Sequence, residues 1–510
     1  MNYINWKSLQ NGSDIRGVAM EGVSNESINL TPEVVARLGE SFVGWLLKRN
    51  TTKKLKISVG MDPRLSGPQL KSALSNALKQ CGVDVYDFGL ASTPAMFMSI
   101  VMGEAPVDAA IMLTASHLPS NRNGLKFYTA QGGLEKSDIS ELLTIAESEA
   151  TFKVKDEGAV IEHDFMSEYA QHFIELIREQ VNHPDHFNEP LKGLNIVVDA
   201  GNGSGGFYAT KVLKPLGADI SSSQYLEPDG RFPNHTPNPE DELAMSSVVR
   251  QVKATQADLG IIFDTDVDRA ALVAKDGSTI NRNQLIALIS AVVLEEHPGS
   301  TIVTDSITSN GLAWFITEHL KGHHHRFQRG YKNVINEAIR LNNEGKECWL
   351  AIETSGHAAL KENHFMDDGA YLVTKLIITM AKVRKEGKHL IDLIDKLPLP
   401  VQSCEIRIGI NDANFKEIGE KVITDLGLLA GNRHGWDIAP DNFEGVRIHC
   451  DHPLQKGWFL LRMSLHDPVL PLNIESEVEG GMEETVALLK AFFANYEKLD
   501  LSGFREIKYN

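Results

Sequence analysis

Short apolar runs alternate with stretches of helical periodicity over most of the chain, and three segments repeat one plan. Each opens on an apolar run followed by a polar, Gly-bearing turn: LKISVGMDPRLSG from Leu55, LNIVVDAGNGSGG from Leu194 and TIVTDSITSNG from Thr301. Helical patterns follow, and each segment closes on a second apolar run ending in a polar loop: VDAAIMLTASH from Val107, ADLGIIFDTDVDR from Ala257 and CWLAIETSGH from Cys348. Near-continuous apolar runs of about 4–8 residues between helices predict strands buried on both faces of α/β layers, so the repeat predicts three similar domains. From about Val401 the pattern changes to CEIRIGI, a helical NFKEIGEKVITDLGLL, then EGVRIHC, GWFLLRMSLHD and a final helix EETVALLKAFFANYEKL. The fold class expected is α/β: three similar mixed α/β domains followed by a smaller α+β C-terminal domain. Gly, Pro and charge interrupt the periodicity near Val154 to His163, Glu296 to Ser300 and Leu397 to Val401. The domains are therefore placed at 1–158, 159–298, 299–399 and 400–510.

Composition narrows the chemistry. With 510 residues, 42% hydrophobic and 23% charged, the chain is of ordinary globular usage and too long for one core. The 50 basic and 68 acidic residues give −18, which repels nucleic acid and anionic membrane surfaces, so neither is expected as a partner. Any phosphate site must then be a local cluster of Arg, Lys and backbone N–H groups. There is no uncharged apolar run of about 18 residues and no signal or transit pattern, and the expected location is the cytoplasm. Cys81, Cys348, Cys404 and Cys450 are scattered with no CxxC and read as reduced core residues.

In α/β sheets ligands bind beyond the carboxyl ends of strands, which directs attention to the closing loops. In TASHLPSNRNGLKFY, Ser116 leaves a buried strand with His117 beside it and Lys126 downstream. It reads as a nucleophile or phosphate carrier, or else as a turn serine capping a backbone N–H; the G-x-S-x-G elbow of an acyl-transfer serine is absent. Asp264, Asp266 and Asp268 alternate after LGIIF and precede Arg269. Three like charges so close repel unless a cation lies among them, and oxygen ligands suit Mg²⁺. An EF-hand is excluded, because its later Gly and bidentate Glu are missing. Glu353, Ser355 and His357 after CWLAI can hydrogen-bond sugar hydroxyls, or Ser355 can simply cap a helix. Arg462 and Ser464 stand two apart at a strand end with Arg447 on the neighbouring run, a possible bidentate phosphate clamp or a surface pair with Asp467. Two further patterns are read as decoys. Gly201-Asn-Gly203-Ser-Gly205-Gly206, with Asp219 beyond, satisfies G-x-G-x-x-G but explains itself as tight strand-to-helix turns. His323, His324 and His325 are read as a solvated loop, since adjacent residues on an extended chain point to opposite faces.

Together, in this order, the loops resemble the α-D-phosphohexomutase family. TASHLPSNRNGLKFY is similar to its phosphoserine loop, DTDVDR to its DGDGDR magnesium loop, ETSGH to its GEMSGH sugar loop and RMSLHDP to its R-x-S-N-T-E-P phosphate loop. Asp14-Ile-Arg16-Gly17 and GMDPRLSG around Arg64 match its first domain, and GYKNV around Lys332 its third-domain recognition loop. The resemblance implies four domains around one cleft, a phosphoserine at Ser116, and Mg²⁺ between its oxygen and Asp264, Asp266 and Asp268. It implies Arg16, Arg269 and Lys126 neutralising the moving group, with His117, His357 and Lys126 as candidates for proton transfer. Glu353, Ser355 and Lys332 would bind the sugar phosphate, and Arg447, Arg462 and Ser464 the phosphate that is not reacting. The implied activity is interconversion of hexose 1-phosphate and hexose 6-phosphate, of glucose or mannose, through a hexose 1,6-bisphosphate. The alternatives are a bisphosphate synthase on the same scaffold and a silent sugar-phosphate sensor. Leu465 and His466 replace the Asn and Thr of the phosphate loop and Asp467 its Glu, while Ile352 and Thr354 replace the Gly and Met of the sugar loop.

Overall fold

A computed structural model describes residues 4–23, 26–49, 54–103, 106–148, 150–464, 467–505 and 507. The chain divides into two compact units, the first formed by residues 1–281 with 355–359 and 366–390, the second by the remainder.

The first unit contains two sheets. In the larger, Lys56–Met61 runs parallel to both Asp84–Leu90 and Ala109–Leu113, and Arg122–Thr129 lies antiparallel beside Ala109–Leu113. Strand periodicity sorts the side chains: Ile57, Val59, Ile111 and Leu113 join one core with Leu38, Phe42, Leu74 and Leu142 from the helices Pro32–Leu47, Gly67–Gln80 and Lys136–Glu147. On the opposite side Ser58 hydrogen-bonds Ser99 of the helix Thr93–Val101 at 2.9 Å. In the smaller sheet Ile196–Asp199 is parallel to Leu259–Phe263, which pairs antiparallel with Ala270–Ala274.

In the second unit Thr301–Asp305 is parallel to His323–Phe327 and to Cys348–Ile352. The C-terminal region is a six-stranded antiparallel sheet. Helices Phe415–Gly431 and Gly481–Phe493 pack on it through Val422, Leu426, Leu489 and Phe493.

The repeat has a simple structural meaning. In all three α/β layers the opening strand lies parallel and adjacent to the closing strand, which sets the two polar turns side by side at one sheet end. The division expected after 158 falls just ahead of Val160–Glu162, which pairs with Asp84–Leu90 in the first sheet. The division expected after 298 falls behind the helix Arg282–Glu296, which packs on Cys348–Ile352.

The histidine triplet is not a loop, contrary to expectation: it begins the edge strand His323–Phe327. Polar side chains are accommodated there because His323 is exposed to solvent and the two rings that follow each have a partner. His324 Nε2 lies 2.8 Å from Thr304 Oγ1 and His325 Nε2 lies 2.8 Å from Glu337 Oε1. The glycine run after Asp199 is steric in origin, as expected. A Cβ on Gly206 would sit 2.3 Å from Leu226 O, and the Ser204 amide already donates to Thr265 O at 2.8 Å, so it is not presented to a phosphate. Among the described residues no helix is long and apolar enough to cross a membrane.

Candidate active site

Ser116 sits just past Ala109–Leu113 with φ of 48°, a left-handed conformation that a serine holds only under local constraint. The constraint is Arg64, whose side chain is fully buried. It donates to Ser116 O, to Leu118 O at 2.7 Å, Pro119 O at 2.6 Å and Arg122 O at 3.0 Å, and is balanced by Asp62 at 3.1 Å. Thr114 adds a side-chain acceptor for the Ser116 amide at 2.8 Å and itself donates to Asp62 at 2.7 Å. A planar guanidinium with five donors is suited to gathering several carbonyls of one loop. Arg16 approaches the same loop, donating to Thr114 O at 2.9 Å and to Asp14 at 2.8 Å.

The hydroxyl of Ser116 donates to Asp264 Oδ2 at 3.2 Å, which joins the serine loop to the aspartate loop of the second sheet. Asp264, Asp266 and Asp268 are fully buried, with ligand oxygens within 4.8 Å of one another. Their charge is partly answered: Lys126 Nζ lies 3.2 Å from Asp266 and 2.5 Å from Asp268, Arg269 Nε lies 3.2 Å from Asp264, and Thr93 Oγ1 donates to Asp266. Backbone bonds fix the loop from outside, the Thr93 amide donating to Asp266 O at 2.8 Å and the Gly369 amide to Val267 O at 3.0 Å. Val267, at the position of a glycine in the related motif, is held at φ of 67°, a strain of about 1–2 kcal/mol for a β-branched residue.

The electrostatics follow from this crowding. Burial, with the Asp268 and Asp266 carboxylates beside it, holds the Asp264 carboxyl well above the usual range. For Asp268 burial works in the same direction but is outweighed by Lys126, His357 and Arg269, which hold it well below. Burial would lower Lys126, yet Asp266 and Asp268 raise it further, so it is a permanent cation. His117 Nδ1 accepts from Arg269 Nη2 at 2.9 Å. Surrounding protein and the Arg269 and Arg16 guanidiniums push His117 down to about 3, although the residue as a whole is exposed, which softens the depression. Burial does the same to His357, also pushed down to about 3. Both imidazoles are neutral at neutral pH.

Of the residues singled out in the sequence, the first unit thus gathers Arg16, Ser116, His117, Lys126, Asp264, Asp266, Asp268 and Arg269. His357 joins them, its Nε2 lying 3.7 Å from Asp268 Oδ1 and its Nδ1 2.9 Å from Ser355 Oγ. The second unit holds Glu353, whose carboxylate accepts from the Gly330 amide at 2.7 Å, and Lys332 in the first turn of Tyr331–Asn343. Arg447, expected beside Arg462 in a phosphate clamp, is instead 1% exposed and turned inward. Its terminal nitrogens donate to Ser306 O at 2.7 Å and Thr308 O at 3.0 Å, and its guanidinium stacks 3.6 Å over Trp458. Arg462 is buried with Nε 3.9 Å from Glu444, while Ser464 Oγ accepts from the Asp467 amide at 3.3 Å. Asp467 faces Arg407, 3.6 Å away, and not Arg462. Leu465 and His466 lie outside the described residues. Sequence reasoning gave no role to Arg64, Thr93 or Asp367; the adjacent pair Asp367-Asp368 ahead of a helix was the one available signal for the last.

Comparison with known proteins agrees with this arrangement. Models of phosphoglucomutase/phosphomannomutase α/β/α domains I, II and III match residues 7–152, 168–277 and 281–399. The phosphomannomutase/phosphoglucomutase of Pseudomonas aeruginosa PAO1 is 30% identical over 492 residues, covering 96% of this chain and 96% of that protein. The phosphoglucomutase/phosphomannomutase of Thermococcus kodakarensis is 31% identical over 475 residues, covering 92% and 96%. A crystal structure of a phosphoglucomutase/phosphomannomutase family protein from Burkholderia thailandensis superposes with a TM-score of 0.77 at 27% identity, covering 98% of this chain and all of that one. With three successive domain models matched in register and a fourth, sheet-rich domain behind them, the chain belongs to the phosphoglucomutase/phosphomannomutase family of phosphotransferase enzymes, the α-D-phosphohexomutases.

Proposed function

We propose that this enzyme interconverts hexose 1-phosphate and hexose 6-phosphate, of glucose or mannose, by way of a phosphoserine at Ser116 and a hexose 1,6-bisphosphate. The observation that carries the reading is the 3.2 Å contact of Ser116 Oγ with a buried aspartate triad, which puts a hydroxyl at a place able to neutralise a phosphoryl group. The triad fits a hard divalent cation: Asp266 Oδ1 and Asp268 Oδ1 are buried oxygens without a hydrogen-bond partner, and each is one that an ion would satisfy. Asp264, Asp266, Asp268 and the Ser116 oxygen would hold Mg²⁺, which when bound offsets charge on the phosphoryl oxygens.

In the first half-reaction a sugar hydroxyl oxygen bonds to phosphorus, the bond from phosphorus to Ser116 Oγ breaks, and the hydroxyl proton passes to a neutral imidazole, His117 or His357. The second half-reaction reverses these changes at the other end of the bisphosphate. Lys126, kept charged by two carboxylates, and Arg269 and Arg16 supply fixed positive charge; Arg64 and Thr114 keep the serine at its strained φ. Glu353, Ser355 and Lys332 contact the sugar phosphate, and Arg462 with Ser464 holds the phosphate not in transit.

A second reading, net synthesis of hexose 1,6-bisphosphate from another sugar bisphosphate, is favoured by the C-terminal end, where Arg447 is turned inward and Arg462 faces Glu444. A clamp short of one charged hydrogen-bond partner loses roughly 1.5–3 kcal/mol of phosphate retention, about ten- to a hundredfold. One experiment separates the two. Pure protein is given glucose 1-phosphate, Mg²⁺ and a trace of glucose 1,6-bisphosphate, with and without a second sugar bisphosphate as donor, and all phosphorylated products are followed by ³¹P NMR. Glucose 6-phosphate with no build-up of bisphosphate supports the mutase, while bisphosphate accumulating from an added donor supports the synthase. No conversion by folded protein contradicts both.

A further inference from the structure

A second group of ligand atoms adjoins the aspartate triad. Asp268, His357 and Asp367 each offer one atom, all within 4.8 Å of one another. The distances are informative. His357 Nε2 lies 3.7 Å from Asp268 Oδ1 and 3.9 Å from Asp367 Oδ2, too far for direct hydrogen bonds. Ligands held by one ion at about 2.0–2.2 Å in tetrahedral or octahedral geometry stand about 3–3.6 Å apart, so these gaps are close to what a shared ion requires.

The independent sign of a missing ligand is Asp367 itself. Its side chain is only 5% exposed, and its Oδ2, the atom nearest His357 Nε2, has no hydrogen-bond partner. An unpaired buried carboxylate oxygen is costly and calls for a counterpart. Asp268 Oδ1, fully buried and already assigned to the first ion, is the oxygen the two sites would share. The surroundings hold these groups in place. Residue 357 bridges to Arg269 and residue 367 to Ala359 through the backbone, while Asp368 caps the following helix at Tyr371 N, 2.9 Å, and accepts from Tyr169 Oη at 2.6 Å.

We infer that Asp268, His357 and Asp367 form a second cation site that shares Asp268 with the triad. One imidazole nitrogen and two carboxylate oxygens select Mn²⁺, Zn²⁺ or a similar ion over Mg²⁺, which prefers oxygen and water. Two ions sharing one carboxylate sit about 3.5–4 Å apart. An ion here engages His357 Nε2 and withdraws that ring from proton exchange, so excess Mn²⁺ inhibits a reaction that Mg²⁺ alone sustains. The inference rests on the triad holding the first ion.

The test is electron paramagnetic resonance of the full-length protein saturated with Mn²⁺, with bound metal counted in parallel. The wild type should take up a second equivalent and show an exchange-coupled spectrum, because only neighbouring ions couple. Asp367→Asn should lose that equivalent and show uncoupled Mn²⁺, and His357→Gln should do the same, so a folding failure in one variant does not decide the matter. A wild type whose Mn²⁺ is entirely uncoupled overturns the second site, and so does a coupled spectrum that survives both substitutions. If the single uncoupled ion disappears in Asp266→Asn, the second site falls while the triad reading stands; if no Mn²⁺ binds at all, both fall.

Discussion

Two buried polar systems in this protein differ in where their hydrogen bonds are directed. Around Ser116, charges are packed together with oxygens of Asp266, Asp268 and Asp367 unpartnered. Around Arg447, Nε is also without a partner, but both terminal nitrogens bond main-chain carbonyls and the guanidinium lies on an indole face, which is the arrangement of a tether. Arg64 has the same tethering character but acts on a reactive loop, so a structural arginine there becomes a positioning residue. The difference teaches that a motif match locates a polar group without saying whether its hydrogen-bonding capacity is directed at a ligand or at the fold.

The largest expected effect probes the tethers. Arg64→Met removes donors from four loop carbonyls and strands Asp62, so it should cost about 3–5 kcal/mol of stability, read from chemical denaturation, and remove most activity. Arg447→Met should cost about 2–4 kcal/mol and leave KM within about twofold, whereas Arg462→Met should raise KM at least about tenfold with a smaller stability loss. Equal KM changes in the two variants would erase the distinction between tether and clamp.

Asp266→Asn comes next. It keeps shape and loses charge, so Mg²⁺ affinity measured calorimetrically and activity should fall together by at least about tenfold, with the metal-free protein no less stable because like-charge repulsion is relieved. Full activity of the wild type in EDTA would contradict the metal assignment.

The last effect concerns pH and is small near neutrality. His357, pushed down to about 3 in the folded chain, takes up a proton on unfolding below about pH 6.5. The unfolded state then binds more protons, so this group makes stability fall as pH drops from about 6.5 toward 3, by up to about 1.4 kcal/mol per pH unit. His357→Gln should flatten that part of the slope; an unchanged slope would show that the ring is not held neutral.

These contrasts also mark what was legible in the sequence. The three layers were readable because strands buried on both faces leave continuous apolar runs, and Asp264, Asp266 and Asp268 because alternating carboxylates beyond such a run have few structural uses. The partners of these loops were not readable, since they come from far along the chain: Thr93 reaches Asp266 across 173 positions and Arg64 reaches Ser116 across 52. The inward turn of Arg447 was hidden for a different reason, since a clamp and a carbonyl tether use the same side chain at the same strand position. His323 to His325 were misread because edge-strand pairing outweighs low strand propensity when one ring faces solvent and the other two have partners.

The central claim is that Ser116 carries the phosphoryl group, and intact-mass measurement tests it most directly. Wild type and Ser116→Ala are incubated with glucose 1,6-bisphosphate and Mg²⁺, freed of ligand and weighed, with thermal unfolding recorded alongside. The account predicts one phosphate on the wild type, discharged by added hexose phosphate, and none on a Ser116→Ala protein whose unfolding midpoint is nearly unchanged. Substantial mutase activity in Ser116→Ala, or a phosphate that maps to another residue and turns over, would contradict it.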